Sequence, residues 1–296
     1  MATSSSDDTP AGFAYAVSAY LLWGGLPLYL KALSHVPPAE IVAHRVVWSL
    51  PLIAGLIAVT GRTADLRAAL RSPRMLGMGA LTAFFVSINW GVYVWAIAND
   101  HALDGALGYY INPLFSIFLG AVLLGERLDR LQWAAVALAA AAVAVLTIAQ
   151  GRLPWVAVVL MLSWSGYAFC KRRLPIGPNQ GFFLEVAILS GPAFAWLMWL
   201  AWTGEGAFLA GDRFDTWMLV CAGAVTAVPL ILYANGAKLL RLSTIGILQY
   251  IAPTLIFLVA VFIFEEPFGV PRMIAFPMIW GALALYTTAL FRQSRR

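Results

Sequence analysis

Charged residues are scarce in this sequence. Asp, Glu, Lys and Arg make up 11% of the 296 residues, whereas 61% are hydrophobic, and the mean hydropathy is +0.82. A water-soluble fold of this length needs more polar side chains to cover its surface. The composition therefore excludes a soluble domain for most of the chain and predicts an integral membrane protein with the lipid bilayer as its solvent.

Cysteine, histidine and catalytic motifs are also sparse. Cys170 and Cys221 lie in apolar runs without metal-ligand spacing, which argues against a disulfide framework or a zinc site. His35, His44 and His101 are scattered, and the sequence contains no HExxH or GxSxG motif. The basic residues lie in short loops and form no stripe that would suit nucleic acid. We therefore expect no enzyme activity, no cofactor, no metal and no nucleic-acid partner.

Apolar stretches long enough to cross a bilayer recur along the chain. A hydrocarbon core about 30 Å thick needs roughly 20 apolar residues per helix. The sequence predicts an all-α protein with ten transmembrane helices, and the segments near 60–74 and 203–215 are read as loops. The ten windows lie near 11–33, 39–59, 75–98, 103–124, 131–149, 154–171, 181–202, 216–238, 243–264 and 271–291.

The basic residues predict the orientation of these spans. Placing the N-terminus in the cytoplasm puts fourteen of the nineteen Lys and Arg residues on the inner side, four on the outer side and Arg45 within a span. Because Lys and Arg concentrate in short cytoplasmic loops, both termini are predicted to be cytoplasmic. The first residues contain Asp7 and Asp8 but no basic residue, so residues 1–10 are read as a tail and not as a signal peptide.

Two stretches of the sequence repeat the same design. LGYYINPLFSIFLGAVLLGERL, residues 107–128, aligns without a gap on ILQYIAPTLIFLVAVFIFEEPF, residues 247–268. Because five spans precede the second half, it must enter the membrane from the opposite side. We therefore predict inverted repeats over residues 11–150 and 151–291, followed by a tail at 292–296, an arrangement typical of transporters. The identical pairs are Tyr110 and Tyr250, Ile111 and Ile251, Pro113 and Pro253, and Glu126 and Glu266.

The repeated prolines suggest a polar path. A proline leaves the carbonyl four residues earlier without its helix donor, and in lipid that carbonyl needs a partner in protein, water or ligand. Pro113 and Pro253 would free the carbonyls of Tyr109 and Gln249, and Asn112 adjoins the first proline. We interpret the pair as kinks that line a substrate path; the alternative is packing kinks. The candidate path residues are Asn89, Trp90, Tyr93, Tyr109, Tyr110, Asn112, Trp164, Tyr233, Gln249 and Tyr250.

Three ionisable residues lie within predicted spans. His44 and Arg45 are adjacent in the second span, where an unpaired charge costs at least roughly 2.5–3.5 kcal/mol. Arg45 is read as the counter-charge of a substrate carboxylate, as a side chain that reaches the outer interface, or as an ion-pair partner of Glu185. Glu185 holds the equivalent place in the second half. It is read either as a proton-exchanging carboxylate or as a helix-start carboxylate favoured by the macrodipole.

Several stretches resemble a known family. HRVVWS, NWGVYVWAI, GYYINP, LQYIAPT and MIWGALAL are similar to the RarD branch of the EamA family in the drug/metabolite transporter superfamily, and the likeness runs from about residue 11 to 291. The resemblance implies two inverted five-helix repeats around a central cavity in a bacterial inner membrane. It also implies alternating-access transport, often export, of a small organic metabolite such as an amino acid, an aromatic compound or a drug. A membrane receptor or scaffold and an intramembrane enzyme are the alternatives, and the oligomeric state is left open.

Overall fold

The computed structural model describes residues 8–61, 63–125, 127–210 and 212–294. These residues form twelve helices and no strand, which confirms the all-α architecture. Predictions on Arg62 and Glu126 lie outside the described residues. The helices are α1 Pro10–Ala32, α2 Pro38–Val59, α3 Thr63–Arg71, α4 Pro73–Ala98, α5 Ala102–Leu124, α6 Arg130–Gln150, α7 Trp155–Arg173, α8 Pro178–Thr203, α9 Arg213–Gly236, α10 Leu242–Leu248, α11 Ile251–Phe262 and α12 Val270–Ser294.

Within these described ranges, nine helical segments are long and apolar enough to cross a membrane. The tenth predicted span corresponds to α7, which has 19 residues but is not among the nine. Its sequence, WVAVVLMLSWSGYAFCKRR, mixes serine, glycine and tyrosine with the apolar residues and ends in three basic ones. The protein is therefore an integral membrane protein, and the count of ten spans stays a prediction.

Proline marks the start of four of the long helices. Pro10, Pro38, Pro73 and Pro178 each occupy the first turn of a helix, where the missing N–H would have no helical partner and the fixed φ suits the helix. The hydroxyl of Thr9 accepts the N–H of Gly12 and so caps α1. These local signals explain why the predicted span limits lie within a few residues of the observed ones.

The predicted segment 60–74 is not only a loop, because α3 occupies Thr63–Arg71. This short helix buries Leu66 and Ala69, three residues apart, and packs on α4 and α8. The ninth predicted span is also divided, since α10 ends at Leu248 and α11 begins at Ile251. Pro253 follows this break, whereas Pro113 lies inside the continuous helix α5. Of the two prolines, only the second accompanies an interruption.

The helices pack in a two-fold pattern that the 140-residue repeat predicts. α1 contacts α9 and α11, and α7, its counterpart in the second half, contacts α4 and α5. α2 packs on α8, α5 on α11, and α6 on α12, so each of these pairs joins a helix to its own counterpart. The two halves are thereby interleaved, and residues from both surround the centre of the bundle.

Helices α2 and α9 approach closely at Gly223. A Cβ atom on Gly223 would overlap the backbone of Trp48, so only glycine permits this crossing. The hydroxyl of Ser49 donates to the carbonyl of Gly223 at 3.1 Å. This contact holds α2 against α9 beside the cavity described below.

Candidate functional site

A small cavity lies between α1, α2, α4, α7, α8 and α9. Its volume of about 30 Å³ is the space of one or two water molecules. Helices of both halves contribute to its wall, as expected for a path at a repeat interface. The lining residues are Trp23, Arg45, Val86, Trp90, Trp164, Tyr167, Phe182, Thr226 and Leu230.

Arg45 provides the charge in this cavity. Its residue surface is 4% exposed, and its Nε donates to Thr226 Oγ1 at 2.9 Å. The guanidinium carbon lies 4.9 Å from the ring centroid of Trp90, within the range of a cation–π contact. Nη1 is buried without a hydrogen-bond partner, and Arg45 forms no ion pair with a carboxylate of the described residues. The readings of Arg45 as a side chain at the interface or as the partner of Glu185 are therefore wrong.

Asn89 connects α4 to α7 behind Trp90. Its Nδ2 donates to the carbonyl of Leu160 at 3.2 Å and to Ser163 Oγ at 3.1 Å. Its Oδ1 accepts the hydroxyl of Tyr109 at 3.1 Å, and the ring of Tyr109 packs on that of Tyr93 with centroids 5.4 Å apart. Asn89, Tyr93 and Tyr109 are not part of the lining set, so they support the wall. The hydroxyl of Tyr93 is buried without a partner.

Aromatic rings form much of the wall itself. Trp23 packs with Tyr20 and Tyr233 at centroid distances of 5.7 and 5.6 Å. On the opposite half, Trp164 packs against Tyr167 at 5.4 Å. Tyr233 therefore contributes through Trp23, and Trp164 lines the cavity directly. Such a wall suits the face of a flat apolar group.

Glu185 is bound to Lys171 and to the wall of the cavity. Its Oε1 accepts Lys171 Nζ at 2.6 Å, and its Oε2 accepts the hydroxyl of Tyr167 at 3.2 Å. The Glu185 side chain is 1% exposed and that of Lys171 is 20% exposed. Since α8 begins at Pro178, Glu185 lies about two turns inside the helix, and the helix-start reading is wrong. Tyr167 links this ion pair to the cavity.

Four of the predicted path residues lie elsewhere. Tyr110 and Tyr250 line a separate open groove of about 450 Å³ between α5, α11 and α12, where the Tyr110 hydroxyl lies 2.8 Å from Thr254 Oγ1. Asn112 is buried with Oδ1 unpartnered, and Gln249 Nε2 donates to the carbonyl of Gly246 at 2.9 Å. Asn112 and Gln249 line neither the cavity nor this groove. Their role in a path, like that of the two tyrosines, stays a prediction.

Contacts between the two halves close one end of the bundle. We call this end, which carries the α1–α2, α4–α5, α8–α9 and α11–α12 connections, the outer end, as the basic residues predict. Glu266 accepts the N–H groups of Ala102 and Leu103, the first residues of α5, at 2.6 and 2.9 Å. Burial raises the pKa of the Glu266 carboxyl, while these N–H groups act in the opposite direction. Asp215 also binds His35 at 2.7 Å.

Comparison with known proteins places this architecture in a family. The sequence profile of the EamA-like transporter family matches residues 10–148. Protein RarD of Streptomyces exfoliatus is 40% identical over 96% of this chain and 90% of its own length.

The chain belongs to the RarD group of the EamA-like transporter family.

Two further likenesses agree with this membership. A relative from Vibrio cholerae, named an uncharacterized transporter, is 40% identical over 96% of this chain and 94% of its own length. A crystal structure that is 23% identical covers 95% of this chain and 98% of the solved chain with a TM-score of 0.60. The second likeness shows the fold alone. Within this family, the protein is a membrane transporter.

The RarD-group sequence contained an unused signal for part of the cavity. Val86 and Thr226 are 140 residues apart, as are Trp90 and Leu230, and all four line the cavity. Applying the repeat offset to Trp90 and to the position one turn before it would have identified Thr226 and Leu230. Phe182 has no comparable signal, because its repeat counterpart is absent from the lining set.

Proposed function

We propose that this protein exports a small organic metabolite that carries a carboxylate on a flat apolar body. Aromatic amino acids and related amphipathic compounds or drugs have this chemistry. The observation that carries the proposal is the Arg45 guanidinium, buried in an aromatic cavity between the halves with Nη1 unpartnered. The outward direction is the one that the resemblance to drug/metabolite exporters implies.

The charge of Arg45 explains why an anion suits the cavity. A cation at membrane depth is costly unless it is paired or hydrated. A substrate carboxylate would accept from Nη1 and supply the missing counter-charge, and charged hydrogen bonds contribute about 1.5–3 kcal/mol each. Trp23, Trp90 and Trp164 would then contact the apolar body. Amines lack this advantage, because Arg45 is the one charged residue in the lining set of the described structure.

The size of the cavity supports an alternating-access mechanism. A space of about 30 Å³ accommodates water but no aromatic metabolite, so binding requires the walls to separate. We propose that the helices around Pro113 and Pro253 are among the moving parts. Glu185, which contacts the cavity wall through Tyr167, is our candidate for proton coupling, with His44 as the other intramembrane group. Transport needs no cofactor and no enzymatic step.

The membrane arrangement is also proposed. Ten spans would form two inverted repeats, residues 11–150 and 151–291, in a bacterial inner membrane. The tails 1–10 and 292–296 would be cytoplasmic, together with α3. A receptor or scaffold without transport is the competing function, but neither requires a buried unpartnered arginine between interleaved halves.

A cysteine at Arg67 tests the orientation. Arg67 is exposed on α3, and Arg152 is exposed in the α6–α7 connection. In a background without Cys170 and Cys221, an Arg67→Cys variant should react with an impermeant thiol reagent only after the inner face is exposed. An Arg152→Cys variant is the matched control and should react from outside intact cells. External labelling of the Arg67→Cys variant would overturn the proposed topology.

Flux measurements in proteoliposomes test the function. Phenylacetate and phenethylamine share an aromatic body and differ in charge, so they separate recognition by charge from recognition by shape. We expect protein-dependent efflux of phenylacetate at least about tenfold faster than that of phenethylamine, because one charged hydrogen bond is worth about a tenfold change or more. Equal efflux of the two, or efflux equal to that of empty liposomes, would count against the proposal.

A further inference from the structure

A loop covers the outer end of α2. We call the described residues 204–210, between α8 and α9, the outer plug. The ring of Phe208 lies 4.6 Å from that of His44 and 6.4 Å from that of Trp48, centroid to centroid. The next residue, Leu209, has a φ of +60°, a left-handed conformation that is costly for a branched side chain. Favourable contacts must therefore hold the outer plug in place.

Glu40 provides these contacts. The residue is 0% exposed, and its Oε1 accepts the N–H groups of Ala207 at 2.9 Å and Phe208 at 3.0 Å. Its Oε2 also lies 3.1 Å from the Ala207 nitrogen. Hydrogen bonds to an ionised carboxylate are stronger than neutral ones. Since Glu40 belongs to the first half and the plug to the second, this carboxylate ties the halves together above the cavity.

The residues below Glu40 determine where a proton can bind. Trp48 Nε1 donates to His44 Nδ1 at 3.1 Å, so the neutral imidazole must carry its hydrogen on Nε2. His44 Nε2 is buried 4.0 Å from Glu40 Oε1 and has no hydrogen-bond partner among the described residues. A second proton on the ring would oppose the Trp48 N–H. Glu40 is therefore the group of this cluster with lone pairs free to take a proton.

Protonation of Glu40 would weaken the closure. One oxygen would become a hydroxyl group and lose acceptor capacity. Its new hydrogen would face the N–H groups of Ala207 and Phe208 and the hydrogen on His44 Nε2, all of which are donors. We propose that Glu40 is a proton-binding site that controls the outer plug: the carboxylate holds the plug closed, and a proton from the outer side releases it.

The surrounding charges leave this role to Glu40. In the described structure, no carboxylate or cation of the adjoining elements forms an ion pair with Glu40 apart from the 4.0 Å approach of His44. Asp215 binds His35, and Arg45 binds Thr226. The charged and titratable groups on those elements are Glu205, Asp212, Arg213, Asp215, His35 and Arg45.

The repeat distinguishes the two ends. Gln180, Leu184 and Ile188 stand 140 residues after Glu40, His44 and Trp48. The second half therefore lacks both the carboxylate and the imidazole of this cluster. A proton-controlled closure is thus a property of the outer end alone, where external pH can act on it.

Hydrogen exchange reads the latch directly. The inference rests on the proposed transport function, because a plug implies a path, but exchange of the Ala207 and Phe208 amides requires no substrate. In wild-type protein, we expect their protection, corrected for intrinsic exchange, to fall by about tenfold or more between about pH 7.5 and about pH 5.5. The protein would be held in lipid nanodiscs and digested to peptides covering residues 204–210.

Three variants give the proposal matched controls. Glu40→Gln imitates the protonated carboxyl, so these amides should be unprotected at every pH. Glu205→Gln, on an exposed plug residue with no bond to α2, should behave as wild type. Trp48→Phe frees His44 Nδ1 to take the proton, and the resulting imidazolium beside Glu40 should keep the amides protected at low pH.

The outcomes separate this latch from other events. Glu266→Gln should expose the amides of Ala102 and Leu103 without changing those of Ala207 and Phe208, which excludes general opening of the outer end. Wild-type protection that does not change with pH would overturn the proposal. Protection that survives in Glu40→Gln would overturn it as well. Normal latch behaviour without phenylacetate flux would instead reject the proposed transport of anions.

Discussion

Arg45→Leu is expected to lower phenylacetate flux by about 100-fold and to leave the folded protein at least as stable as wild type. The lost guanidinium bonds contribute about 1.5–3 kcal/mol each, so removal of two gives an effect of this size. Stability should not fall, because the wild-type cation is buried with Nη1 unpartnered and without an ion pair among the described residues. A charge at membrane depth costs roughly 2.5–3.5 kcal/mol.

Efflux and thermal unfolding of the same preparations measure both effects. Arg45→Lys keeps the charge but loses the planar fork that binds a carboxylate through two parallel bonds, so it should restore flux only in part. Arg152→Leu removes an exposed arginine and should change neither quantity. An Arg45→Leu protein that unfolds at much lower temperature would show that Arg45 is structural and would remove the basis of the proposed site.

Glu185→Gln is expected to destabilise the protein by about 3–5 kcal/mol, because it leaves the Lys171 ammonium without its buried partner. Lys171 Nζ lies 2.6 Å from Glu185 Oε1, and the carboxylate is almost fully buried. The double variant Glu185→Gln, Lys171→Gln removes both charges and should recover most of the stability. Denaturant unfolding of the two single variants and the double variant forms the required cycle.

The double variant also tests the proposed coupling role. Since it is expected to fold, any loss of transport can be assigned to the missing titratable groups. We expect it to lose flux driven by a pH gradient and to retain exchange of phenylacetate at equal pH on both sides. Gradient-driven flux at the wild-type level would leave Glu185 with a structural role only.

The helices could be predicted from the sequence far better than their rotation. Hydrophobic length and first-turn prolines such as Pro38 and Pro178 determine where spans begin, because both act locally. The short helix α3 was missed because its nine residues are too few for a span and too polar for an apolar run. The fold class, and the limits of most spans, thus followed from short-range physics.

The composition of the cavity depended on contacts that span periodicity does not reveal. A soluble helix shows which face is buried through its polar side, but a membrane helix is apolar toward both lipid and protein. Asn112 was predicted to line a path beside Pro113, yet it lies buried outside the cavity. Arg45 and Trp90 were correctly chosen as candidates because charge and aromatic size stand out even in an apolar span. Glu40 was overlooked since a carboxylate at a span end is ordinary; its partners, Ala207 and Phe208, lie 167 and 168 residues away.

Binding to purified protein tests the central claim most directly, because it separates recognition from movement. Phenylacetate would be titrated into wild-type and Arg45→Leu protein in detergent while the fluorescence of tryptophan is recorded, since Trp23, Trp90 and Trp164 line the cavity. The account predicts a saturable change with phenylacetate in wild type, a far weaker one with phenethylamine, and none with phenylacetate in Arg45→Leu. Equal binding of phenylacetate by wild type and Arg45→Leu would contradict it.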